Sequence, residues 1–310
     1  MSLVTLSEVL QPALKGGYAL CGVVTLGWED MCAFVQAAEQ ENMPIILQAG
    51  PGCRSHTPLP ILAKMFLHLA QNAQVPVVAH LDHGTSYEEC CAAVDLGFSS
   101  VMFDGSLLPL RDNIRETAKV VAMAHQAGIS CEGEIGVVGY AKGASSQGTN
   151  PKEAALFATE TNVDAMAISC GNLHLQEGPS AGFDIERLAA IEAVTDVPFV
   201  LHGGSGLGGD LRRKLALGSH ICKFNIGTEL RQTFGAALRD TLAQYPQSFD
   251  PIEILSATKG PMAEKARAII AGLKAYCWAK SIKGQPYEGS ALKMLVQVIR
   301  INQNDPIPSP

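Results

Sequence analysis

Charged and aromatic side chains are both scarce in this sequence, at 17% and 6% of its residues. With 47% hydrophobic residues beside them, the chain is not a solvated, disordered polymer and has the apolar material for one large core. It also lacks a positive balance. A net charge of -7 and a pI near 5.6 repel nucleic acid and anionic membranes, so neither is an expected partner. A small anionic ligand stays compatible, because a metal or local dipoles override net charge. No apolar run approaches the ~20 residues of a membrane helix. The start, MSLVTLSEVLQPALKGG, has no basic stretch ahead of an apolar one, so no secretory signal is expected there. The nine cysteines are an odd number without CxxC spacing, and Cys32, Cys131, Cys170 and Cys222 sit in apolar runs. That usage fits reduced, buried thiols and a cytoplasmic location.

What the chain does have is alternation. Eight short apolar runs read as strands, at 19–24, 45–49, 75–81, 100–104, 130–135, 165–169, 198–201 and 221–225. Longer stretches with helical spacing lie between them, among them 28–41, 87–96, 110–126, 151–161 and 184–194. Alternating strand and helix signals imply a parallel sheet. Eight such units over about 230 residues are the complement of a (β/α)8 TIM barrel. An open doubly wound sheet would want a glycine-rich turn after the first strand, and Cys21-Gly22-Val23-Val24-Thr25 supplies none. The expected organisation is one α/β barrel domain over 1–280, with extra C-terminal helices from 251–275. Residues 281–310 read as an arm ending in Pro-Ile-Pro-Ser-Pro.

Barrel chemistry sits where strands end. The third expected strand ends in His80-Leu81-Asp82-His83-Gly84, the sixth runs into Gly171-Asn172-Leu173-His174, and the seventh ends in His202-Gly203-Gly204-Ser205-Gly206. Three imidazoles from three strand ends can converge on one point, and three nitrogens with an open position are the pattern of a catalytic zinc. His83, His174 and His202 are therefore candidate ligands. His56, His68, His80, His125 and His220 read as ordinary core or surface residues. Asp82 and His83 are adjacent and would face opposite sides of a regular strand, so both reach the site only if the strand frays or bulges. Asp82 is the candidate proton shuttle. Asp104 and Glu134 read as partners of the histidines or as alternative metal contacts. Gly203, Gly204 and Ser205, with Asn225, Gly227 and Thr228 after the eighth strand, offer backbone donors at two helix starts, the usual phosphate site of such barrels.

The motifs HLDHG at 80–84, EGEIG at 132–136, GNLH at 171–174, LHGGSG at 201–206 and KFNIGTELR at 223–231 resemble the class II fructose-bisphosphate and tagatose-bisphosphate aldolases over residues 5–275. The resemblance implies zinc-dependent cleavage and formation of a C–C bond in a ketose phosphate, giving dihydroxyacetone phosphate and an aldehyde. It implies Zn2+ at His83, His174 and His202, a monovalent cation as a possible second cofactor, and Asp82 as acid and base. It implies phosphoketone contacts from Gly203, Ser205, Asn225 and Thr228, and a homodimer or homotetramer.

The sequence departs from that family at four points. Val23-Val24-Thr25 stands where an Asn is usual, Gly50 where a Ser is usual, and Leu175 where a glycine follows the second histidine. Lys142 occupies the place of the glutamate that removes the ketone proton. A lysine in a glycine-rich loop keeps its charge, which suits an anionic substrate end and moves the base elsewhere, with Glu132 as the candidate. Two readings compete with the aldolase: a zinc lyase or isomerase acting on another substrate, and an impaired barrel kept for binding a phosphoketose.

Overall fold

The computed structural model describes residues 2–141, 143, 145–176 and 182–274. Lys142 and the 281–310 arm lie outside the described residues. Eight parallel strands form a closed barrel. They are β1 Leu20–Val24, β2 Ile45–Ala49, β3 Val77–Gly84, β4 Ser100–Phe103, β5 Ser130–Ile135, β6 Ala165–Ile168, β7 Phe199–Leu201 and β8 Ile221–Ile226. Each pairs with its neighbours in chain order, and β8 closes on β1 with Lys223 opposite Leu20. The expected (β/α)8 architecture is the observed one.

The third strand departs most from its expected bounds. It begins at Val77 rather than at 75, because Pro76 has no N–H to give a ladder. It runs on to Gly84 because it bulges. Leu81 pairs with Val101 and Gly84 with Phe103, so Asp82 and His83 together oppose Met102 alone.

A helix that the strand count left out, Leu6–Gly16, closes the N-terminal end of the barrel. Leu6, Val9, Leu10 and Ala13 are its buried face, a spacing that puts all four on one helical stripe. A capping box of Thr5 and Glu8 starts it, and Ser130 Oγ accepts from Ser7 N at the foot of β5 (2.9 Å). The C-terminal stretch, expected as one or two helices, is a single helix, Pro251–Lys274, that carries Pro261 within it. It packs on the helices Trp28–Glu41 and Thr228–Gln244. Among the described residues, no helix is long and apolar enough to cross a membrane.

Candidate active site and metal centre

The bulge in β3 turns Asp82 and His83 to the same side. Both line one cavity of about 350 Å³ at the C-terminal end of the barrel, together with His174, Gly203, Ser205, Asn225 and Thr228. His83 adopts a left-handed backbone, φ 51°, which costs a residue with a Cβ of the order of 1–2 kcal/mol. Such strain persists where the surroundings over-determine it, which is common at functional sites.

The three histidines meet. One ring nitrogen from each of His83, His174 and His202 falls in a set whose members all lie within 4.8 Å of one another. Two of the rings have their tautomer set by a carboxylate. Asp104 Oδ2 is 2.7 Å from His83 Nδ1 and Glu132 Oε1 is 3.1 Å from His202 Nε2. An ionised carboxylate only accepts, so those nitrogens carry hydrogen. This leaves His83 Nε2 and His202 Nδ1 facing each other at 2.9 Å. Two lone pairs at that distance need a proton or a cation between them. Burial alone would lower the pKa of His83, but the Asp82, Asp104 and Glu134 carboxylates hold it up at about 10. His174 is pushed down to about 4 by burial and by the His83 charge, and burial and His83 hold His202 well below the ordinary range. Proton or cation, a positive charge on His83 is what the surrounding carboxylates favour.

Glu134 supports the same reading. It is 2% exposed, and its Oε2 has no hydrogen-bond partner while lying 3.8 Å from both His83 Nδ1 and His202 Nδ1. Burial, then the neighbouring Asp104, raises it to about 8. An unpartnered buried oxygen beside a ring of nitrogen ligands is a donor set that a cation would satisfy. The donor set of three imidazoles suits Zn2+. His83, Asp104 and Glu134 form a second group of compatible donors.

Beneath the histidines lies a layer of buried charge. Lys223 Nζ donates to Glu132 Oε2 (2.6 Å) and to His80 Nε2 (3.3 Å), and His80 Nδ1 lies 2.9 Å from Ser100 Oγ. Lys223, Glu132 and His80 are fully buried. This corrects the expectation for Glu132: with one oxygen on His202 and the other on Lys223, it orients a ring and has no path to a substrate proton. His80 belongs to the same layer, tied to the site through Lys223. Lys223 was legible as a charge inside the apolar strand 221–225, because a lysine buried there demands a carboxylate.

Asp82 is held from two sides. Gln48 Nε2 donates to its Oδ1 (2.8 Å), and Asn225 Nδ2 reaches the same atom (3.3 Å). Asn225 thus faces the acid through its amide nitrogen while it also lines the cavity. Gly22 makes this layer possible, since a Cβ there would sit 2.0 Å from Gln48 Oε1.

At the other end of the cavity, Gly203 has φ 65°, and a Cβ on it would lie 2.0 Å from Leu173 O, so only glycine fits. Ser205 Oγ accepts from Gly227 N (3.2 Å) and Glu229 N (3.3 Å) at the start of the helix Thr228–Gln244. Gly204 departs from expectation. It is buried and absent from the cavity wall, with its carbonyl taken by Arg212 (3.1 Å), and Arg212 is also paired with Glu229. Arg231, half-buried, and Tyr140, whose ring stacks on His174 with centroids 4.9 Å apart, also line the cavity. Neither stood out in the sequence, because nothing local distinguishes them from surface residues.

The model of the class-II fructose-bisphosphate aldolase family matches residues 4–276. The chain belongs to that family. This aldolase is 36% identical over 284 residues to a fructose-bisphosphate aldolase of Geobacillus stearothermophilus, a match covering 88% of the chain and 96% of the relative. It is also similar to the crystal structure of the YdjI aldolase of Escherichia coli K12, with TM-score 0.78 and 29% identity over 88% of this chain and 98% of that one. A putative fructose-1,6-bisphosphate aldolase of Coccidioides immitis shares the fold, with TM-score 0.78 at 23% identity over 89% and 98% of the two chains. As an aldolase it is a lyase of C–C bonds.

Proposed function

We propose that this aldolase uses Zn2+ to cleave a ketose phosphate into dihydroxyacetone phosphate and an aldehyde, and to run the reverse condensation. The observation that carries the reading is the convergence of three imidazole nitrogens, all within 4.8 Å, on a cavity that Asp82 also lines. His83, His174 and His202 would hold the metal. Bound there, zinc supplies Lewis acidity to the ketone carbonyl and stabilises the charge left by C–C cleavage. Asp104 and Glu132 keep two of the rings in the tautomer that presents a lone pair.

Asp82 is the only carboxylate on the cavity wall among the described residues. Held by Gln48 and Asn225, it takes the proton from the hydroxyl beside the scissile bond and returns it on condensation. Gly203 and Ser205, with the amides of Gly227 and Thr228 at a helix start, bind the phosphate through backbone dipoles. Binding there displaces the hydrogen bonds that Ser205 Oγ now receives. Arg231 adds positive charge at the same end. A homo-oligomer and a cytoplasmic location belong to this reading.

The test is a panel of phosphorylated ketoses offered to metal-loaded protein, with dihydroxyacetone phosphate detected by a coupled dehydrogenase. Release from at least one ketose, abolished by a chelator and restored by zinc, is the expected result. No release from any ketose, in protein that holds zinc, would leave enolisation without cleavage as the better account. Exchange of the ketone C–H with deuterated solvent would then identify it.

A further inference from the structure

We infer that Arg54 is a positioning residue for the adjacent Asp82 and His83, and that the metal site and the acid depend on its guanidinium. The inference rests on the reading of His83 as a metal ligand and Asp82 as the acid. It starts from where the sheet stops. The ladder between β2 and β3 ends at the pair Ala49–Leu81. Beyond it β3 slips register, and His83 sits in a left-handed backbone that a histidine does not choose by itself. Something other than the sheet must hold these two residues.

Arg54 comes from the short helix Pro51–His56 that follows β2, and its side chain is 9% exposed. Its Nη1 donates to the carbonyls of Ala49 and Asp82, the latter at 2.6 Å, and Nη2 donates to the carbonyl of His83 at 3.0 Å. Nε pairs with Glu89 Oε1 (2.9 Å), while Glu89 Oε2 accepts from Thr85 N (2.9 Å). The Asp82 carbonyl belongs to the peptide before the His83 Cα, and the His83 carbonyl to the peptide after it. Fixing both planes fixes φ and ψ of His83, and with them the directions in which the Asp82 and His83 side chains leave the strand. Only a forked, five-donor group reaches three carbonyls and a carboxylate at once. Arg54 does not line the cavity, so it acts through these two residues and not on the substrate.

The experiment uses the full chain as wild type, Arg54→Met, Arg54→Lys and Glu89→Gln. Zinc affinity is read by competition with a chromophoric chelator. The constants kcat and KM are measured at saturating zinc on the ketose phosphate that the wild type cleaves. Arg54→Met is expected to bind zinc about 10–100-fold more weakly, the usual cost of losing a group that orients a ligand. It should lose at least about tenfold in kcat, with KM within about threefold. Arg54→Lys should recover only part of both, and Glu89→Gln should lose less than Arg54→Met in the same direction. Zinc affinity and kcat within about twofold of wild type in Arg54→Met overturn the inference. So does a lower Tm with both preserved, which is packing alone, and so does a rise in KM alone, which is substrate contact. If Arg54→Met does not fold, unchanged zinc affinity and kcat in the other two variants overturn it. A wild type that binds no zinc or cleaves no ketose phosphate overturns the parent reading, and that outcome is visible before any variant is made.

Discussion

The two ends of the barrel are made by the same eight strands and are built on opposite terms. At the N-terminal end, the helix Leu6–Gly16 lays four apolar residues over the strand starts. At the C-terminal end, the strands finish in histidines and carboxylates, with Glu134 Oε2, Gln48 Oε1 and Asn225 Oδ1 buried and unpartnered. One end is assembled from groups that gain by leaving water. The other holds groups that lose by it and keeps them in place with a register break, a left-handed histidine and a layer of buried ion pairs. The barrel provides stability at its foot and concentrates strain where the chemistry is.

Substitutions at the two ends should therefore have separable effects. The largest effect is expected from His202→Ala. It should take zinc from one per chain to near none, measured by elemental analysis, and a variant that keeps full zinc breaks the ligand assignment. Asp82→Asn should keep zinc and lower kcat by about 10²–10⁴-fold, the range of a lost proton transfer. Unchanged turnover would make Asp82 a structural residue. The mirror experiment is at the foot. Leu10 is fully buried, so Leu10→Ala should lower unfolding free energy by about 2–5 kcal/mol in denaturant melts, with zinc affinity and KM unchanged.

The metal-free protein should also lose stability as pH rises from about 6.5 to 8. The His83 pKa is raised to about 10, so its stabilising contribution is full below the unfolded value and fades as pH climbs towards the folded one. Glu134, raised from 4.5 to about 8, binds its proton more tightly when folded, so its contribution falls between those values and overlaps the loss from His83 above about 6.5. The lowered pKa values of His80, His174 and His202 act in the opposite direction, below the unfolded histidine value. Glu134→Gln should remove up to about 1 kcal/mol per pH unit of this slope. A parallel profile for the variant and the wild type would show that Glu134 titrates normally. The smallest effect concerns Leu175, which sits at φ 56° where the family usually has glycine. Leu175→Gly relieves left-handed strain and adds unfolded-state entropy. These terms nearly cancel, and a net stabilisation of no more than about 1 kcal/mol is expected. A clear loss of stability would mean that Leu175 packs rather than strains.

Much of this was open to a reader of the sequence, because parallel strands buried on both faces read as apolar runs, and because barrel chemistry must collect at strand ends. Seven of the eight strands lie within about a residue of their expected bounds, and the histidines that converge are the three singled out. The misses have physical causes. Glu132 looked like a free base because sequence shows residue type and not partners, and its partner Lys223 is 91 positions away. Gly204 looked exposed because a GGSG run gives no sign of which glycine points inward. Arg54 and Gln48 reach Asp82 across 28 and 34 positions, a separation over which no local pattern carries information.

By itself, then, the sequence determined the barrel, the order of its strands and the residue types at its C-terminal end, since burial period and strand-end position are local properties of the chain. Only the tertiary structure decided that a bulge turns Asp82 and His83 to one side, that Glu132 serves His202 rather than a substrate, and that Arg54 holds the strand end. Those outcomes depend on which distant donor meets which acceptor once eight strands have closed into a ring, and on the cost of leaving any buried polar group without a partner.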